Sequence, residues 1–245
     1  MATAVHKGLS ISVVMPAYNE SAGVRATVED FINQPCVDEV IVVDNNSTDG
    51  TGEIAAAAGA KVIRELRQGY GFACRAGLAA ARGDLVVLTE SDNSFYADDL
   101  EIMLPYMPYF DIVKGARSNH HLITDDADWT YGLLLGNWFV AKYLQVLYLW
   151  KRSVDDASFR EVGGTFRIIR REALDVILPL LTEGQSALLP DMVTIALRKN
   201  LRLLEIPVRY RRRLGESKIT GNRFRAFLLA LRMARIITHN RWRSL

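Results

Sequence analysis

Three short stretches of this sequence gather oxygen-bearing side chains just after apolar runs: Pro16-Ala17-Tyr18-Asn19-Glu20, Asp44-Asn45-Asn46-Ser47-Thr48-Asp49-Gly50 and Glu90-Ser91-Asp92-Asn93-Ser94. Carboxylates brought together repel unless a cation or hydrogen-bond donors stand between them. Glu90 and Asp92 are hard oxygen donors. Mg²⁺ and Mn²⁺ usually take one or two protein carboxylates and complete their shell with water and substrate phosphates. The expected chemistry is therefore a divalent ion carrying a phosphorylated ligand. The same residue types also build turns and helix N-caps. For 45–50 that plainer use weighs equally; for Glu90 and Asp92 it weighs less, because Asp98 and Asp99 already supply negative charge to the next helix start.

The elements that position these clusters are legible in the first 115 residues. Apolar, β-branched runs at 9–16, 37–44, 61–66 and 84–90 alternate with helical stretches ending near Asn33, near Gly59 and at 71–83. Val87 and Leu88 lie in a continuous hydrophobic run, the pattern of a strand buried on both faces. Alternation of this kind predicts βαβ units and a parallel sheet. Ligands of such sheets bind beyond the carboxyl ends of the strands, where the three polar clusters lie.

Length and composition agree with an ordinary globular chain. A chain of 245 residues, 49% hydrophobic and 24% charged, can bury a large core without disulfide or metal staples. Cys36 and Cys74 form no metal-ligand spacing and no disulfide framework, as expected in a reducing compartment. No secretion signal is expected at 1–8. The net charge of +2 conceals an uneven distribution: residues 198–245 carry 14 Lys+Arg against 2 Asp+Glu, so the rest of the chain is acidic.

Taken together, the motifs resemble the family 2 glycosyltransferases of the GT-A fold, from about Ile11 to Thr220. VVMPAYNE (13–20) is similar to the family's opening strand and turn, VIVVDNNSTDGT (40–51) to its second, and GDLVVLTESD (83–92) to the strand leading into the metal-binding Asp-x-Asp. DIVKGAR (111–117), VGGTFRIIRREAL (162–174) and EIPVRYRRRLGESKIT (205–220) follow in order. The last two look like polyprenol-phosphate sugar transferases of the dolichyl-phosphate mannose synthase type. Two departures stand out: Glu90-Ser91-Asp92 replaces Asp-x-Asp, and Glu161 stands where many lipid-directed relatives carry aspartate.

The resemblance implies an α/β, mostly parallel sheet flanked by helices, with a glycosyltransferase domain over 9–220. Residues 9–117 would bind the nucleotide sugar and 118–220 the acceptor. A basic amphipathic helix would follow over 221–245. Pro16, Tyr18, Glu20 and Asp44 are implied for the nucleoside of a UDP- or GDP-linked sugar. Glu90 and Asp92 are implied for Mg²⁺ or Mn²⁺, with Asp92 the direct ligand. A hydroxyl acceptor needs a general base, for which Asp191 is the candidate; the alternative for Asp191 is an N-cap of a helix over 192–198. A polyprenyl phosphate needs no base but does need cations, and the chain supplies Arg117, Arg167, Arg213 and Lys218, with Ser217 as a further donor. Of the run Arg209, Arg211, Arg212, Arg213, the reading favours Arg213; a solvated edge strand is the alternative. Direct attack by one acceptor oxygen predicts inversion at the anomeric carbon. A non-catalytic nucleotide-sugar-binding protein is a competing class, while the acidic sheet edge and the apolar helix face argue against a nucleic-acid partner.

Residues 131–150 (YGLLLGNWFVAKYLQVLYLW) raise the question of a membrane span, since about 20 residues at ~1.5 Å rise just cross a ~30 Å hydrocarbon core. Asn137, Lys142 and Gln145 interrupt the run, while Trp138, Tyr143, Tyr148 and Trp150 suit the water–lipid boundary. A helix in the interface or beside the acceptor groove is expected, with a plain core helix as the alternative. Further on, Phe224, Phe227, Leu228 and Leu231 follow i, i+3, i+4, i+7 spacing, with Arg225, Arg232 and Arg235 on another face. The expected location is the cytoplasm, peripheral on an anionic membrane surface.

Overall fold

The computed structural model describes residues 8–117, 119–124, 131–148, 159–215 and 223–244, without the side chains of 131–135 and 223–227. Ser217, Lys218, Trp150 and the side chains of Phe224, Arg225 and Phe227 lie outside that description. Seven strands form one sheet: β1 (Ile11–Ala17), β2 (Glu39–Asp44), β3 (Lys61–Arg64), β4 (Leu85–Leu88), β5 (Ile112–Ala116), β6 (Arg167–Arg170) and β7 (Leu203–Pro207). Their spatial order is β3-β2-β1-β4-β6-β5-β7. Every pairing is parallel except those of β6, which runs antiparallel to both β4 and β5.

Eight α-helices accompany the sheet among the described residues: α1 (Val24–Ile32), α2 (Thr51–Ala57), α3 (Tyr70–Ala80), α4 (Leu100–Met103), α5 (Tyr131–Tyr148), α6 (Arg171–Ile177), α7 (Leu188–Arg198) and α8 (Arg223–Trp242). Strand side chains alternate between two faces. Val14, Ile41, Val43, Val86 and Leu88 join one core with α3, α5, α7 and α8, whereas Val13, Met15, Val42 and Val87 join another with α1 and α4. Both faces of the sheet are covered, which is why the central strands read as unbroken apolar runs.

The expected elements appear with shifted ends. The helix expected over 192–198 starts at Leu188, so Asp191 lies in its first turn and is not its N-cap. The arginine run leaves the sheet at Pro207, and only Tyr210 touches other chain segments in ladder fashion, bridging Phe95 and Ile123. The segment is therefore a crossing strip over the sheet edge rather than an edge strand.

Helix α5 resolves the question raised by its hydrophobicity. Val140, Ala141, Leu144 and Tyr148 enter the core, while Trp138, Phe139, Tyr143 and Val146 are exposed. No helix among the described residues is long and apolar enough to cross a membrane. On α8 the inward stripe is Met233, Ile237 and Asn240, which leaves Leu228 and Leu231 exposed. Tyr143 and Thr238 share a 2.6 Å hydroxyl contact where the two helices meet.

Helix α3 sits unusually close to the sheet at Gly77, where an added Cβ would lie 2.4 Å from Val14 Cγ1 and 2.7 Å from Val43 Cγ2. Those methyls are packed and β-branched, so they cannot swing aside. In an open helix Gly→Ala stabilises by about 1 kcal/mol. Here overpacking should outweigh that gain, and Gly77→Ala is expected to destabilise the protein by about 1–3 kcal/mol, read from the urea midpoint. An unchanged or raised midpoint would contradict the close packing.

Candidate active site

Because β2, β1 and β4 are parallel neighbours, their carboxyl ends open on one edge, and each is followed by a turn containing an asparagine with positive φ: Asn46, Asn19 and Asn93. Asparagine tolerates that left-handed conformation better than other non-glycine residues. The turns are stitched together. Asn19 N–H donates to Ser47 Oγ (3.0 Å), Glu20 N–H to Thr51 Oγ1 (2.9 Å) and Ser91 Oγ to the carbonyl of Pro16 (3.0 Å). Asp49 accepts from the Thr51 and Ser21 amides, and although burial works against its charge, these bonds and those of the two hydroxyls hold its carboxyl down at about 2. Much of 45–50 is thus occupied in turn-making. Asp44 caps that turn at its start, accepting the Ser47 amide at 3.0 Å, while Tyr18 is exposed at the rim.

The acidic edge is answered from the second half of the chain. Arg213 reaches Glu20 Oε1 (2.9 Å) and Asp92 Oδ2 (3.5 Å), so one guanidinium spans the ends of β1 and β4. Its Nε is buried and has no hydrogen-bond partner among the described residues. Two other arginines of the strip are engaged elsewhere: Arg209 with Asp98 and Asp99, and Arg211 with Asn93 and Asp30. Asp98 and Asp99 therefore serve an ion pair, in addition to the helix start expected of them.

Glu90 is half-buried. Its Oε1 accepts from Thr165 Oγ1 and lies 3.4 Å from the Tyr70 hydroxyl, and the two hydroxyls are 3.0 Å apart. Burial first, and then the Asp92 charge, push its carboxyl up to about 7. A pair of carboxylates in which one ionises against the other is a donor set that a divalent ion would relieve, and hard oxygen ligands suit Mg²⁺ or Mn²⁺. No cluster of three or more His, Cys, Asp or Glu is gathered for a metal among the described residues. That fits an ion held by few protein ligands and completed by phosphates.

Arg117 stands beside this pair on a support of its own. Glu161 accepts its main-chain N–H (3.0 Å) and its Nε (3.1 Å), and the guanidinium lies 5.0 Å from the centre of the Tyr210 ring. Behind Glu161, the Lys114 ammonium pairs with Glu205 at 2.6 Å and donates to the Glu161 carbonyl. Glu205 accepts the Arg160 amide at 2.9 Å. Burial works against the charge of Glu161, but Arg117 and Lys114 hold its carboxyl below the usual range.

Two expected site residues lie elsewhere. Arg167, on β6, is 1% exposed and donates to the carbonyls of Gly164 and Thr165; burial lowers it to about 10. It sits behind the site, because its place in an antiparallel strand at the sheet centre turns it into the core. Asp191 is fully buried: it accepts the amides of Thr182 (3.1 Å) and Glu183 (3.3 Å) and the Asn240 amide group (2.6 Å). It joins α7 to α8 and is not gathered with Glu90 and Asp92. Tyr70 and Thr165 join the site although neither is among the candidates; Thr165 lies within VGGTFRIIRREAL and Tyr70 between Gly69 and Gly71.

Comparisons with known proteins identify the family and the fold. The family model of glycosyl transferase family 2 matches residues 12–178. An uncharacterised glycosyltransferase of Mycobacterium tuberculosis is 32% identical over 219 residues, covering 88% of this chain and 92% of that protein. A dolichyl-phosphate hexose transferase of Haloferax volcanii is 30% identical over 211 residues, covering 85% and 86%. Among solved structures, glucosyl-3-phosphoglycerate synthase from M. tuberculosis, in complex with Mn²⁺, UDP-glucose and phosphoglyceric acid, superposes with a TM-score of 0.77 over 100% of this chain and 84% of its own, at 19% identity. That likeness establishes the GT-A-like fold.

The raised Glu90 carboxyl has a stability consequence. A folded-state value near 7 against 4.5 in the open chain means its favourable contribution is complete below 4.5 and is lost as pH rises through about 7. Without divalent ions, Glu90→Gln should therefore be more stable than the parent at pH 8, with the gap closing toward pH 4.5. Urea denaturation in EDTA across that range measures it; a pH-independent difference would contradict the assignment.

Proposed function

The chain belongs to glycosyl transferase family 2, and from that premise we propose an inverting, Mg²⁺- or Mn²⁺-dependent transfer of a hexosyl group from a UDP- or GDP-linked sugar to a polyprenyl phosphate at a membrane surface. The observation that carries the acceptor is the division of labour around the acidic edge. Cations converge on it, with Arg213 holding a buried Nε that has no partner among the described residues and Arg117 braced by Glu161, while Asp191, the candidate base, is sealed in the core. An acceptor phosphate is already an anion and needs positioning rather than deprotonation, whereas a hydroxyl must lose a proton as it attacks.

On this reading Pro16, Tyr18, Glu20 and Asp44 frame the nucleoside, and Glu90 and Asp92 hold the divalent ion. When bound, that ion offsets charge developing on the departing diphosphate. Arg213, released from Glu20 or Asp92 as phosphate enters, offers its planar fork to phosphate oxygens. Arg117 holds the attacking group from the other side, with Ser217 and Lys218 completing the acceptor site. Arg167 adds positive field from beneath. The H. volcanii relative supports a lipid-phosphate acceptor by its name. The relative whose structure was solved with phosphoglyceric acid supports a second reading, the same donor chemistry with a small hydroxyl acceptor. The domain division at 117/118 and a distinct amphipathic helix from 221 belong to the same proposal.

Membrane contact would use the exposed Trp138, Phe139, Tyr143 and Val146 of α5 and Leu228, Leu231 and Trp242 of α8, beside Arg232 and Arg235. Aromatic and basic side chains together suit an anionic interface, each cation adding about 1 kcal/mol near the surface.

Asp92→Ala should lower transfer by about 100-fold or more, and unchanged activity would eliminate the metal-assisted mechanism. With UDP- and GDP-sugars offered to polyprenyl phosphate and to free sugars or phosphoglycerate, transfer to the lipid with an inverted anomeric centre is expected. Product formed solely on a hydroxyl would establish the second reading. Sedimentation with anionic liposomes should show binding at low salt that weakens as salt is raised.

A further inference from the structure

The register of the antiparallel pair β4–β6 places Leu88 opposite Arg167 and Leu85 opposite Arg170. Continued two residues past the end of β4 and two before the start of β6, the same register sets Glu90 opposite Thr165. The contact found there follows from it: Thr165 Oγ1 donates to Glu90 Oε1, and the Tyr70 hydroxyl, delivered by the first residue of α3, closes a triangle at 3.0 Å from Thr165 and 3.4 Å from Glu90. Thr165 is 3% exposed and Glu161, Gly164 and Phe166 around it are buried, so this hydroxyl is held in place by its surroundings.

The hydroxyl protons suffice to fill this triangle. Thr165 donates to the carboxylate, and Tyr70 donates either to Thr165 or to the same oxygen. Thr165 bonds Oε1 directly, and Tyr70 approaches the same oxygen or bonds the hydroxyl that holds it. A glutamate is one methylene longer than the aspartate usual at this position of the family's motif, and an unrestrained glutamate would sweep a wider arc and lose rotamer freedom on binding an ion. Anchoring one oxygen shortens the effective reach of the side chain and leaves the other for a ligand.

We propose that Thr165 and Tyr70 are positioning residues that fix Glu90 by its Oε1, so that Glu90-Ser91-Asp92 can hold a divalent ion with a single Glu90 oxygen beside Asp92. The proposal rests on the metal reading given above. Outer hydrogen-bond partners of metal-binding carboxylates commonly change affinity by about 10–100-fold when removed. The pairing also assigns a role to the antiparallel strand, which brings a residue 75 positions away in sequence to Glu90.

Mn²⁺ binding by electron paramagnetic resonance, with UDP and in a parallel series GDP, tests this without any turnover. Thr165→Val should weaken Mn²⁺ binding about tenfold and Tyr70→Phe by less, while Thr165→Ser should restore it. In a Glu90→Asp background, whose shorter side chain retreats from the hydroxyls, Thr165→Val should add less than about a twofold loss, the non-additivity expected of a direct contact. Melting temperatures in EDTA accompany each variant, and Tyr70→Phe, which keeps the ring, tests the contact if Thr165→Val fails to fold. If Asp92→Ala weakens Mn²⁺ binding while Thr165→Val and Tyr70→Phe bind as the parent does, positioning is overturned and the metal reading stands. If Asp92→Ala itself leaves Mn²⁺ binding unchanged, the metal reading falls and the positioning proposal falls with it.

Discussion

Carboxylates collected at one edge of a sheet repel one another, and the layout of this protein follows from how that repulsion is answered. Three parallel strands deliver Glu20, Asp44, Glu90 and Asp92 to the same side. Holding them there in a partly buried setting requires cations and donors from elsewhere in the chain. The strip from Val208 to Leu214 brings them. Arg211 N–H donates to the Ser94 carbonyl and Leu214 N–H to that of Asp92, which lays the strip along the turn after β4 and points Arg213 at both acids. The acidic first half and the basic last quarter of the chain are thus two sides of one electrostatic arrangement.

A second charge system, largely buried, stands behind the first. Glu205, Lys114, Glu161 and Arg117 alternate in sign across β7, β5 and the loop before β6. Desolvating four charges is costly, and such a network is weak evidence for stability. Its geometric consequence is clearer: Arg117 donates its main-chain N–H, its Nε and an Nη to the Glu161 carboxylate and lies against the Tyr210 ring, so its guanidinium is presented with little freedom. At Gly164 a Cβ would crowd the Gly115 carbonyl at 3.0 Å, while the Glu161 carboxylate would lie at ordinary contact distance, 3.4 Å.

Asp191 and Asn240 tie α7 and α8 together inside the core. Asn240 donates to Asp191 at 2.6 Å and to Thr194 at 2.7 Å, and Arg232 of the same helix pairs with Glu183 at 3.0 Å. The loop carrying Thr182 and Glu183 continues to Gly184, whose carbonyl accepts the Phe72 amide at 3.2 Å. Gly69 and Gly71 are required there because a Cβ on either would meet that loop at 2.3–2.8 Å. Helix α8, the loop at 182–185 and the turn that presents Tyr70 are therefore one connected packing unit, and the exposed apolar face of α8 lies at its outer end.

The sequence by itself determined the strand-and-helix alternation, the continuous apolar runs of a sheet covered on both faces, and the polar strand ends where a ligand would bind. These are local signals: side-chain periodicity, turn residues and short motifs act within a few residues of one another. It also separated Arg213 from Arg211 by motif. Tertiary structure alone decided the rest. Nothing local distinguishes a strand that inserts antiparallel between two others, so the pairing of Glu90 with Thr165 was invisible. Asp191 followed a proline and looked like a cap, but the donors that claim it come from a preceding loop and from a helix 49 residues on. Arg167 looked like a free cation until β6 turned it inward. In each case the deciding contact joins residues distant in sequence, whose meeting depends on the path of the whole chain rather than on the residues beside them.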